Sequence, residues 1–260
     1  MKRLRMMGLG LAGALLASAV VATSAWAAAP EIGRCVAHAG GKYTNNVCTK
    51  AATGKIKGTF EWEPGAIKKK FTGVGGVGTL ETIKANKVSC KTEVSSGEFT
   101  SPKTVGNIAV TFTGCESAGY KCVSPGKGEG ELVTNLLSGT LVWEKFGTKT
   151  TGEKYGTKVA IDLVPQSTEL FIEFQCGPAN VKVTGSVLTN LPVNKAESKV
   201  EMKFTAKKGK QKPEYYYTST FEKVKDVLIA KIGATEFEQS GQTITNVQTA
   251  EEPLEVNTVA

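Results

Sequence analysis

The chain has 260 residues and a formal charge of +8, from 32 lysines and arginines against 24 aspartates and glutamates, with a single histidine. One histidine rules out a histidine-rich zinc site within one chain. Two aspartates, Asp162 and Asp226, are too few for the dense Asp/Asn loops that hold calcium. After the first 27 residues arginine occurs once, at Arg34, so the positive charge is almost all lysine. Lysine is a hydrated point charge and not the planar fork that reads phosphate, so a dedicated nucleic-acid binder is disfavoured.

The N-terminus reads as an export signal over 1–27. Lys2, Arg3 and Arg5 precede an apolar run from Leu9 to Val21, and Ala25-Trp26-Ala27 offers small residues where a signal peptidase cuts. The run is shorter than the roughly 20 residues needed to cross about 30 Å of hydrocarbon. No later segment is apolar enough to replace it, and the tail Leu254–Ala260 is too polar for an anchor. The expectation is a protein secreted into an oxidising compartment, extracellular or loosely associated with the cell wall, with no membrane span after cleavage.

Residues 28–65 carry Cys35 and Cys48 with few apolar runs and are expected to form a small cystine-containing cap, leaving 66–260 as the main domain. His38 lies in the small-residue stretch Ala37–Gly41. A catalytic histidine needs a nucleophile and an orienting partner, and no Gly-x-Ser-x-Gly occurs, so an exposed loop histidine is expected. Gly73-Val-Gly-Gly-Val-Gly78 matches the glycine pattern of a dinucleotide site. That chemistry requires a strand before it and a helix after it, so a flexible hairpin loop is expected, and no cofactor.

Further along, alternation with period two dominates, the pattern of strands with one buried face. Ile108, Val110 and Phe112 share one side of their segment, as do Val159, Ile161 and Leu163. Leu170, Ile172, Phe174 and Cys176 repeat it, followed by Val181 and Val183, then by Val200, Met202, Phe204 and Ala206. Turns are expected at Pro64-Gly65, Ser96-Gly97, Pro125-Gly126, Ser138-Gly139, Gly177-Pro178 and Lys208-Gly209. Only Val224–Ile232 suits a short helix. About a dozen strands so spaced point to an all-β, two-sheet sandwich or jelly-roll.

Six cysteines permit many pairings. Proximity along the chain favours Cys35–Cys48 and Cys115–Cys122, leaving Cys90–Cys176. No Cys-x-x-Cys occurs and the compartment is oxidising, so structural cystines are expected and not a redox or metal site. Glu129 with Glu131, and Glu236 with Glu238, would each share a strand face and invite a two-carboxylate hydrolase reading. With 22 glutamates in the chain, solvated strand faces are the simpler expectation. Lys207–Lys212 is a basic turn followed by three tyrosines. Lys208, Lys210, Lys212, Tyr215 and Tyr217 are candidates for a surface that takes an acidic cell-wall polymer or polysaccharide.

The segments Lys87–Thr100, Val110–Glu116, Gly130–Leu141, Lys208–Glu214 and Phe237–Thr245 resemble an uncharacterised family of secreted, six-cysteine, β-rich proteins of soil actinobacteria with no assigned activity. The resemblance implies export and β-architecture and carries over no functional residue. The expected function is a non-enzymatic extracellular binding or structural module at or outside the cell surface. The alternatives are a glutamate-dependent hydrolase of polysaccharide or ester, and an oligomeric β-rich pore or shell protein.

Overall fold

The computed structural model describes residues 29–152 and 154–258. The expected signal peptide, 1–27, lies outside the described residues. In chain order the strands are β1 (Glu31–Ala37), β2 (Phe60–Pro64), β3 (Lys70–Gly75), β4 (Gly78–Thr82), β5 (Lys87–Cys90), β6 (Thr92–Ser101) and β7 (Thr104–Thr113). Then come β8 (Glu116–Ser117), β9 (Tyr120–Val123), β10 (Leu132–Val133), β11 (Leu137–Thr148), β12 (Lys154–Pro165), β13 (Leu170–Cys176) and β14 (Ala179–Gly185). The last are β15 (Val187–Leu191), β16 (Glu197–Lys207), β17 (Lys210–Lys212), β18 (Tyr215–Tyr217), β19 (Lys223–Lys225), β20 (Leu228–Ile232) and β21 (Glu238–Asn257). The described residues are all-β as expected and include no helix. Val224–Ile232, read as a helix, is strand β19 and strand β20, with Leu228 and Ala230 alternating inward.

The sheet closes on itself into an eight-strand barrel with extra strands, where alternation alone suggested two packed sheets. Most of its eight staves are a pair of consecutive strands that bend at the waist. β3 and β4 run against β6 and β5 in one unbroken register, Gly75 opposite Glu93 and Gly78 opposite Cys90. β7 and β8, β9 with β10 and β11, β12 and β13, and β14 and β15 form the next four staves. β16 and β20 make the seventh, and β21 alone makes the eighth. At one end the ring is complete through β4, β5, β8, β9, β13, β14, β20 and the start of β21. At the other, β21 pairs with β3 and β16, and Thr189 Oγ1 on β15 donates to the Lys203 carbonyl on β16. Closure removes most of the exposed edge that is the usual hazard of an all-β chain.

The alternation now has a direction. On β16, Met202 and Phe204 are buried while Lys199, Glu201 and Lys203 face out. Two expected turns prove to be strand. Ser96-Gly97 lies inside β6 and Ser138-Gly139 inside β11. Glycine stands there because a Cβ on Gly139 would sit 2.7 Å from Val105 and 2.8 Å from Ile161, and one on Gly97 would meet the Phe71 ring. Of the extra strands, β1 pairs with β2 and with the end of β21, placing Ile32 across one mouth of the barrel. The hairpin of β18 and β19 lies beside β11, where Phe146 packs on Tyr217 and Phe221 with ring centroids 5.7 and 4.8 Å apart.

All six cysteines are disulfide-bonded, and Cys35–Cys48 is as expected. The other two bridges are Cys90–Cys115 and Cys122–Cys176, which corrects the pairing inferred from chain proximity. The reason is the sheet. Cys90, Cys115, Cys122 and Cys176 stand in one row across β5, the approach to β8, β9 and β13. A central Cys115–Cys122 bond would leave Cys90 and Cys176 three strands apart, roughly 14 Å at strand spacing, too far to bridge. Only the two outer pairs satisfy all four. Their Cα atoms are 3.9 and 4.1 Å apart, the close approach of cross-strand neighbours, whereas Cys122 N–H already donates to the Cys115 carbonyl. Non-reducing peptide mapping should recover these two links. Replacing Cys122 and Cys176 together with serine should cost about 2–5 kcal/mol in denaturant unfolding, somewhat more than the Cys90/Cys115 double variant, which closes the shorter loop.

Candidate functional site

The two halves of the barrel are filled differently. In the half that carries the cystines, Phe174, Val181, Val183, Leu228 and Ala230 close the interior, leaving about 60 Å³. The other half holds a cavity of about 150 Å³. That is the size of a site that accommodates one benzene-sized molecule. An eight-strand barrel is just wide enough for such an interior.

Its walls differ in character. One side is apolar: Val105, Ile108 and Val110 from β7, Leu137 from β11, Ile161 and Leu163 from β12, Val187 from β15. The opposite side, built by β6, β3 and β21, carries a polar row among apolar residues such as Phe71, Phe99 and Ile244. Gly73 stands between Ser95 and Gln248, and Gly75 between Glu93 and Asn246. These glycines face inward, and a Cβ on either would collide with the polar side chains that flank it. Gly73–Gly78 is therefore not a hairpin loop. It is strand β3, a bend and the start of β4, and its glycines clear the room that the polar row occupies.

Alternation is inverted here. Inward stand Glu93, Ser95, Asn246 and Gln248, and outward stand Val74 (63% exposed), Val94 (51%) and Val247. Glu93 is only 2% exposed. Burial pushes its carboxyl above the usual range, and Ser95 and Asn246 beside it draw it only partly back. Neither carboxylate oxygen makes a hydrogen bond of good geometry, nor do Asn246 Oδ1 and Gln248 Oε1. Gln248 Nε2 donates to Ser95 Oγ at 3.1 Å. A second carboxylate, Glu255, lines the cavity nearer the β1 end, 2% exposed, raised by burial alone and without a hydrogen-bond partner. Among the lining residues Lys195 is the one cation, exposed and held by Glu197 at 2.7 Å.

The residues singled out from the sequence lie elsewhere. His38 is exposed beyond the end of β1. Glu129 and Glu131 are in a loop and not on a strand face. Glu236 is in an exposed turn while Glu238 is buried against Lys84 and Asn86. Lys208, Lys210 and Lys212 are exposed on and beside β17. Tyr215 and Tyr217 do not join them in one face: Lys223 Nζ sits 4.0 Å over the Tyr215 ring, and Tyr217 packs into the cluster of Phe146.

Sequence reading also missed a second polar centre. The only two aspartates of the chain meet outside the barrel wall, Asp162 from β12 and Asp226 from the end of β19. Ser186 Oγ donates to Asp226, and Tyr216 lies near both. Burial and then the mutual repulsion of the pair push Asp162 up to about 7; Asp226, also buried, stands at about 6. Both carboxyls are raised, so the pair takes up protons more readily than free aspartates do. Neither aspartate lines the cavity, so this pair belongs to the seam between the wall and the β18–β19 hairpin.

No protein-family model matches the chain, and no curated protein or solved structure matches it.

The seam makes stability depend on pH. Both carboxyls titrate higher in the folded chain than in the unfolded one, so the folded state binds the extra proton and stability falls as pH rises from about 4 through about 7. Asp162→Asn should flatten that slope. In urea titrations at successive pH values, wild type should lose roughly 1–3 kcal/mol more than the variant across the window.

Proposed function

We propose that this is a secreted binding module that takes one small, mainly apolar molecule into the barrel, with no chemistry done on it. The observation that carries the reading is the cavity of about 150 Å³, apolar on one side and lined by buried polar groups on the other. Empty apolar volume in a core costs on the order of 24 cal/mol per Å³, so a void of this size weakens the fold by about 3–4 kcal/mol. Buried polar atoms without partners weaken it further. Both defects fall in the same half of the barrel, and a bound molecule would relieve both.

Export is supported by the leader-like N-terminus and by three disulfides, which persist in oxidising compartments. Against a pore stands the polarity of most of the wall: on β7, β11, β12 and β16 apolar side chains face the axis, whereas a water-filled channel has the reverse arrangement. Against a glutamate hydrolase stands the scatter of the paired glutamates over loops and separate surfaces. The lysine-rich surface of β17 remains available for acidic polymer.

Toluene tests the reading. As a ligand for the folded state alone it should raise the melting temperature of the wild type increasingly with its concentration, logarithmically once above its dissociation constant. Ala250→Phe, which fills the cavity from β21, should remove the response and, if the ring fits the void, leave the variant as stable as wild type or more so. A wild type whose melting temperature ignores toluene would overturn the proposal.

A further inference from the structure

The polar wall specifies what kind of molecule the cavity takes. Glu93 offers two carboxylate oxygens, and Asn246 Oδ1 and Gln248 Oε1 add one each, all four buried and none in a hydrogen bond of good geometry, although Ser95 and Asn246 lie close enough to Glu93 to lower its carboxyl somewhat. With Glu93 ionised these oxygens only accept; of the amide donors beside them, Gln248 Nε2 is taken by Ser95 Oγ. No cation inside the barrel answers them, since Lys195 is at the mouth and paired with Glu197. Glu93 is held in place by the backbone, with Gly75 opposite it on β3 and Phe112 opposite it on β7. The sheet fixes its backbone position, and Ser95 and Asn246 flank its carboxyl.

We propose that the ligand is a small organic cation, a primary ammonium on an apolar body, whose N–H groups donate to Glu93, Asn246 and Gln248. This rests on the binding reading above and narrows its ligand class. An ammonium has three donors and no acceptor, which matches a wall of acceptors. Its charge compensates the buried carboxylate, and the hydrogen bonds are of the stronger, charge-assisted kind. The carbon body lies against Ile108, Val110, Leu137 and Ile161. An alcohol supplies one donor and leaves the carboxylate without a counter-charge. A carboxylate ligand brings like charge to Glu93. Binding of the cation favours ionised Glu93, so a proton leaves on binding at acid pH and affinity grows as pH rises, while the amine itself stays protonated.

Titration calorimetry on the full mature chain with benzylamine, benzyl alcohol and benzoate decides the matter, because the three share a ring and differ in the head. Benzylamine should bind at least about tenfold tighter than benzyl alcohol at neutral pH, and benzoate weakest of all. The preference for the amine should shrink from pH 7 to pH 4. Glu93→Gln should cut benzylamine affinity by about tenfold or more and leave benzyl alcohol within about twofold. Equal binding of amine and alcohol by the wild type, or an amine preference that survives Glu93→Gln, overturns the cation assignment. In that case toluene and benzyl alcohol still bind, and the binding reading stands. If none of the ring compounds binds, the binding reading itself falls and takes this one with it.

Discussion

Strand β21 closes the molecule. Its 20 residues meet β20 and β4 near the start, β16 and β3 in the middle, and β1 at the end. The last strand of the chain thereby returns to the first strands, and a meander of hairpins becomes a barrel. Every ladder is antiparallel, so neighbouring staves are joined by short turns and the closing pair alone spans most of the sequence. The cavity, the polar wall and the cap over one mouth all depend on that return, because β21 contributes Asn246, Gln248, Ala250 and Glu255 to the interior.

The two halves of the barrel differ in filling and in polarity. The cystine row ties four neighbouring staves at one end, where phenylalanines and valines pack the centre. The other end carries the void and the buried acceptors. The aspartate pair adds a third region, a proton-dependent seam outside the wall, and it shares no residue with the cavity.

The inversion of β3, β6 and β21 is the physical basis of the site. A strand has two faces, and period two says only that they differ. On β16 the usual assignment holds, methionine and phenylalanine inward. On β3 the inward positions are Gly73 and Gly75, so the valine between them faces water and the polar residues of β6 and β21 occupy the space. Had Gly75 carried a side chain, Glu93 could not have lain where it does.

What the sequence determined by itself was part of what depends on near neighbours. The alternation of residues 199–207, 159–163 and 170–176 assigned strands correctly, because a half-buried strand requires period two whatever it pairs with. The turns at Gly177 and Lys208-Gly209 were legible because positive φ favours glycine. Cys35–Cys48 followed from closeness in the chain. Tertiary structure alone decided the rest: which face is the inside, which cysteines stand in one row, and that Asp162 meets Asp226. Those facts depend on the order and register of strands far apart in sequence, and period two is the same for a sandwich and a barrel. The glycines at 73–78 were visible but read as a loop, since only the strands on either side show that they make room.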